Sequence, residues 1–166
     1  MRQDNYQKML EVFYEYPTRR FTIREIEKLT KIPRATVHKQ LINLKKEKMI
    51  TVENQAETTL IFKIKKINYY LEKIVASGLL EELIEKLNPS CIILFGSVRK
   101  GESVKESDID LFVESFVKKE FSLKKFEGIL KHPIQLLVNS DMHDLDKELL
   151  NNVVNGIKLF GSFKIK

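Results

Sequence analysis

The chain of 166 residues holds a single cysteine, Cys91, and no tryptophan. One cysteine cannot close an internal disulfide, so no cystine framework supports this fold, and a lone cysteine in an apolar run reads first as a small hydrophobe. Long apolar runs are missing too. The longest is Cys91–Phe95, far short of the roughly 20 residues that span a bilayer. The first residues, Met1-Arg2-Gln3-Asp4-Asn5, lack the apolar stretch of a secretory leader. Repeats and low-complexity tracts are also absent. With these exclusions the expectation is a cytoplasmic protein with no membrane partner. Hydrophobic residues make up 43% and charged residues 31%, enough for one ordinary domain or two small ones.

Charge is present but unevenly placed. Residues 1–66 carry 15 Lys and Arg against 8 Asp and Glu, a net of +7, which leaves 14 against 15 in residues 67–166. The whole excess of +6 therefore belongs to the first part of the chain. Concentrated positive charge is the footprint of a part that meets phosphate backbones.

In that part Tyr6, Met9, Leu10 and Phe13 recur at helical spacing and predict an amphipathic helix ending before Pro17. Thr22-Ile23-Arg24-Glu25 is a capping-box pattern opening a second helix that contains Ile26 and Leu29. Pro33 fits the first turn of a third, with Val37, Leu41 and Leu44 on one face and Arg34, Thr36, Lys39, Asn43 and Lys46 on the other. His38 sits at the border of the apolar face and reads as structural. Two alternating segments, Met49–Val52 and Thr58–Lys65, predict a hairpin around Asn54-Gln55-Ala56-Glu57. Three helices and a hairpin resemble a winged helix-turn-helix domain. That resemblance implies a third helix in the major groove of DNA, with Thr36, Lys39 and Asn43 as base-edge or phosphate contacts. The hairpin tip bears Glu53 and Glu57 and no basic residue, which does not favour backbone contact, and such a trihelical core can also serve as a protein-docking module.

Residues 67–87 read as a linking helix or helix pair, with Gly78 a break. Tyr69, Tyr70 and Ile74 there could carry a homodimer contact, although internal packing is the preferred reading. Strands are predicted at Ser90–Phe95, Ile109–Glu114, Pro133–Val138 and Ile157–Phe160, and helices at Ser122–Leu130 and Leu145–Asn155, the last closed by Gly156.

The most informative stretch joins the first two strands. An apolar strand runs into Gly96-Ser97, ten residues follow, and Asp108-Ile109-Asp110 opens the next strand. With a strand period of two, Asp108 and Asp110 share a face. Two carboxylates so close repel unless a cation lies between them. Hard oxygen ligands suit Mg²⁺ (or Mn²⁺), which takes one or two carboxylates plus substrate phosphates. A glycine-serine turn at a helix start can offer backbone N–H groups to a phosphate. Arg99 is a fork donor for phosphate or for a local carboxylate.

This spacing resembles the minimal nucleotidyltransferases of the DNA polymerase β superfamily, over about residues 88–161. The resemblance implies a small mixed sheet with flanking helices, and so an α+β chain: 1–66 the winged helix, 67–87 the linker and 88–166 the nucleotidyltransferase-like domain. It implies transfer of a nucleoside monophosphate from a metal-bound NTP to a hydroxyl on a protein, a small molecule or a nucleic-acid end. It assigns the triphosphate to Gly96 and Ser97 and the metal to Asp108 and Asp110. The family also carries a third carboxylate on a neighbouring strand, and the matching position here is Gln135. A neutral amide cannot take a proton from an attacking hydroxyl. Asp141 could substitute only if its loop curls back. The expectation is therefore an enzyme with slow chemistry, or, as the alternative, a non-catalytic, nucleotide-responsive DNA-binding regulator.

Overall fold

In the computed structural model, which describes residues 2–164 and side chains from Asn5 onward, the chain divides into two compact units, Met1–Lys66 and Ile67–Lys166.

The first unit contains α1 (Arg2–Glu15), α2 (Ile23–Thr30) and α3 (Arg34–Lys46). The predicted capping box forms: the Thr22 side chain accepts the Glu25 N–H, and the Glu25 carboxylate accepts the Thr22 N–H. Arg19 joins that carboxylate at 2.8 Å, and these bonds hold its pKa down at about 2, the Thr22 N–H contributing most. Lys31, in the left-handed region at φ 60°, ends α2 and turns the chain into α3 within three residues. Met9, Phe13, Phe21, Ile26, Val37, Leu41 and Leu44 fill the core, with Phe13 and Phe21 edge to face at 5.7 Å.

The hairpin is not built as predicted. Its turn is present, with Thr51 N–H bonded to Gln55 O and Glu57 N–H to Met49 O, but the strands reduce to one bridge, Ile50–Ala56. The second strand is replaced by helix: α4 spans Leu60–Ala76, so it begins before the expected linker. Leu60, Phe62 and Ile64 alternate like a strand, yet Phe62 is fully buried while Leu60 is 75% exposed. The longer period decides. Phe62, Lys66, Tyr69, Tyr70 and Ile74 are buried at spacings of four, three, one and four, a helical face, and the Thr59 hydroxyl accepts the Phe62 N–H to cap it. Tyr69, Tyr70 and Ile74 are buried, so they present no dimer surface. His38 is exposed rather than structural.

The second unit takes the rest of α4, then α5 (Leu79–Leu87), β1 (Cys91–Phe95), α6 (Gly96–Lys100), β2 (Ile109–Glu114), α7 (Lys124–Leu130), β3 (Ile134–Asn139), a short 3₁₀ turn Met142–Asp144, α8 (Lys147–Val154) and β4 (Ile157–Gly161). Gly78, at φ 78°, separates α4 from α5. The strand order is β3-β2-β1-β4, with β2 and β3 parallel and β1 antiparallel to both β2 and β4. This is a four-stranded mixed sheet with flanking helices. Cys91, Ile93, Phe95 and Phe112 on one face pack with Met142 and Val153. The alternate residues Ile92, Leu94, Leu111 and Val113 are also fully buried, so β1 and β2 are covered on both faces. Cys91 is a core thiol. Burial, helped by the Glu114 carboxylate at 3.5 Å, pushes its pKa up to about 12. Among the described residues no helix is long and apolar enough to cross a membrane.

Candidate functional site

The site grows from the end of β1. Phe95, its last residue, pairs with Asp110 of β2, so the chain that leaves β1 at Gly96 turns directly over the Asp110 carboxyl. Gly96 adopts φ 70°, and a Cβ there would lie 1.9 Å from Asp110 Oδ2. Only glycine permits this approach. Gly96 opens α6, and the backbone N–H of Ser97 donates to Asp110. Arg99 lies half-buried in the last turn of α6.

Asp108 lies just before β2 rather than in it and is exposed, while Asp110, the second residue of the strand, is half-buried. The Asp110 pKa is raised, first by loss of solvent and second by the charge on Asp108, against the opposing Ser97 N–H. A carboxyl that is desolvated and faces a second carboxylate has the chemistry to take a divalent cation. Asp108 and Asp110 are the groups that could hold such an ion. Among the described residues no cluster of three or more His, Cys, Asp or Glu is placed to do so.

Gln135 pairs directly with Asp110 in the parallel β2–β3 ladder. Paired residues on adjacent strands project to the same face, so the exposed amide and the carboxyl are neighbours. Asp141 is elsewhere. It follows the far end of β3, where Glu114 pairs with Asn139, about 13 Å along the strands from Asp110. There it lines a cleft of about 550 Å³ with Glu114, Phe116 and His143, and its carboxylate holds His143 Nδ1 at 2.8 Å. The loop does not curl back, so Asp141 stays away from Asp110.

In the first unit Arg34, Lys39 and Lys46 are exposed on α3, with Thr36 and Asn43 half-buried beside them. The Asn43 amide donates to Gln40 Oε1 at 3.3 Å. Sequence reasoning missed His132. It is 2% exposed, with Nδ1 2.8 Å from the Ser107 carbonyl oxygen and Nε2 3.1 Å from the Tyr70 hydroxyl. A lone histidine 25 positions from Ser107 carries no local signal; only the fold brings the two together.

No curated protein and no solved structure matches this chain. A family profile for the nucleotidyltransferase domain does match, over residues 76–159, from the end of α4 to β4. The match takes in α5 as well as both halves of the Gly96–Asp110 site and Gln135. Because it covers just over half of the chain, the protein belongs to the nucleotidyltransferase domain family.

Proposed function

We propose that the second unit binds a metal-complexed NTP and transfers its nucleoside monophosphate slowly to a hydroxyl acceptor, and that the first unit brings it to DNA. Nucleotidyltransferase domains generally work on an NTP with a divalent metal. Here Asp108 and Asp110 would hold Mg²⁺ or Mn²⁺, which neutralises charge on the phosphates. The Ser97 hydroxyl and the Arg99 guanidinium would bind phosphate oxygens, with Gly96 keeping the turn open. In the transfer the acceptor oxygen bonds to the α-phosphorus, the bond to the β-phosphate oxygen breaks, and pyrophosphate leaves. The acceptor's proton must go to a base.

The pairing of Asp110 with Gln135 carries the proposal of slow chemistry. A neutral amide beside the two carboxylates can orient a cation ligand but cannot accept that proton. General-base assistance is typically worth about 10²–10⁴-fold. Turnover should therefore suffer far more than nucleotide affinity. The +7 charge of residues 1–66, the tight turn between α2 and α3, and the exposed basic side chains of α3 support the DNA assignment.

The test is incubation of the full chain with each labelled NTP and Mg²⁺ or Mn²⁺, reading pyrophosphate release. Wild type should release little and Gln135→Asp at least tenfold more, while calorimetry finds the same NTP affinity. Brisk wild-type turnover that Gln135→Ala leaves unchanged would sink the proposal. Metal-dependent NTP binding without release from either protein would favour the regulator reading.

A further inference from the structure

Asp108 is exposed and stands outside β2, yet its backbone is held on both sides by one segment. On one side the Ser107 carbonyl accepts from His132 Nδ1 at 2.8 Å; on the other the Ile109 N–H donates to the Pro133 carbonyl at 2.9 Å. Ser107 belongs to a closed turn, its N–H bonded to Val104 O at 3.0 Å and its hydroxyl accepting the Val104 N–H at 2.8 Å. The position of this turn relative to β3 is thus set by residues 132 and 133. The same segment leads directly into β3, where Ile134 pairs with Ile109 and Gln135 with Asp110.

The partners assign the ring's hydrogens. A carbonyl only accepts, so Nδ1 carries a hydrogen; in the neutral ring Nε2 is then an acceptor and takes the Tyr70 hydroxyl hydrogen. Tyr70 is 1% exposed, and its ring meets the imidazole edge to face at 5.3 Å. Both ring nitrogens are thereby committed in a dry environment, which fixes tautomer and orientation as outer-shell partners do around metal sites.

We infer that His132, oriented by Tyr70, is a positioning residue for the divalent-cation site: through the Ser107 carbonyl it sets the place of Asp108 opposite Asp110. The inference rests on the reading of Asp108 and Asp110 as cation ligands. A merely structural histidine would fill the same space, so the test separates the two ring nitrogens. His132→Asn puts an amide N–H near the place of Nδ1 and keeps the Ser107 bond. His132→Gln reaches the place of Nε2, meets Tyr70 and loses Ser107.

Mn²⁺ binding to the full chain, with and without ATP, is measured by the loss of the free-ion spin-resonance signal, and thermal melting checks that each variant folds. The expected result is near-wild-type Mn²⁺ affinity for His132→Asn and a loss of about 10–100-fold for His132→Gln and His132→Ala, the usual cost of an outer-shell partner. Equal affinities in all three, or equal losses in Asn and Gln variants, overturn the inference. If the histidine variants do not fold, Tyr70→Phe decides, because it removes only the hydroxyl: weakened Mn²⁺ binding supports the role and unchanged binding overturns it. Wild type that binds no Mn²⁺, or binds it equally well as Asp108→Asn/Asp110→Asn, fails the metal-site reading itself, and the positioning role falls with it.

Discussion

Replacing Gly96 by alanine tests the central geometry. The new Cβ would lie 1.9 Å from Asp110 Oδ2, whereas ordinary contact begins near 3.4 Å, so the carboxylate or the turn must yield by roughly 1.5 Å. Two costs follow. An L-residue at φ 70° pays roughly 1–2 kcal/mol. Moving the carboxylate breaks its bond from the Ser97 N–H, roughly 1.5–3 kcal/mol for a charged acceptor. Together they predict a loss of about 2.5–5 kcal/mol in the second unit. A double-mutant cycle isolates the clash, because Asp110→Ala removes the atoms the methyl would strike. In that background Gly96→Ala should cost only the backbone part, about 1–2 kcal/mol. Urea unfolding of the full chain gives the energies, and amide exchange in β1 and β2 assigns the loss to this unit. The single variant should also lose Mn²⁺ affinity. If Gly96→Ala costs the same with and without Asp110, the two residues are not coupled and the proposed phosphate–metal geometry is wrong.

Two other perturbations address the first unit. Lys39→Ala with Asn43→Ala should weaken duplex binding by about 1–3 kcal/mol for a base contact and flatten the salt dependence by about one unit for the lysine; equal affinity across several sequences at low salt refutes the α3 assignment. Lys66 is 1% exposed, and burial lowers its pKa to about 8 against the opposing pull of Glu15. Its folded pKa therefore lies below the unfolded one, near 10.4, so the unfolded chain holds the extra proton between these values and stability rises with pH across that window. The rise should reach about 2 kcal/mol at pH 9.5 and vanish in Lys66→Met, which should also be more stable at pH 7; urea unfolding that is flat from pH 7 to 9.5 contradicts the buried-charge assignment.

The parts of this molecule legible in the sequence are those whose determinants are local. Thr22 and Glu25 are three residues apart and cap α2; Cys91–Phe95 is apolar throughout and becomes a strand covered on both faces; Gly96-Ser97 and Asp108-Ile109-Asp110 are short patterns read without knowledge of the fold. The pairing of Gln135 with Asp110 was legible only through the family resemblance, since periodicity places a residue on a face but not on a neighbouring strand. Thr58–Lys65 reads as a strand and is helical from Leu60, because the short alternation Leu60, Phe62, Ile64 fits a strand and a helix whose buried face includes a lysine disguises its period. His132 was invisible for a different reason: its partners, Ser107 and Tyr70, lie 25 and 62 positions away, and nothing in its neighbours announces them. The ligand types of such a site are thus written in short motifs, while their mutual placement is written in register and in buried polar contacts. Substitutions at Gly96, Gln135 and His132 separate these layers, since those at Gly96 and His132 alter placement and those at Gln135 alter ligand type, each leaving the aspartates themselves intact.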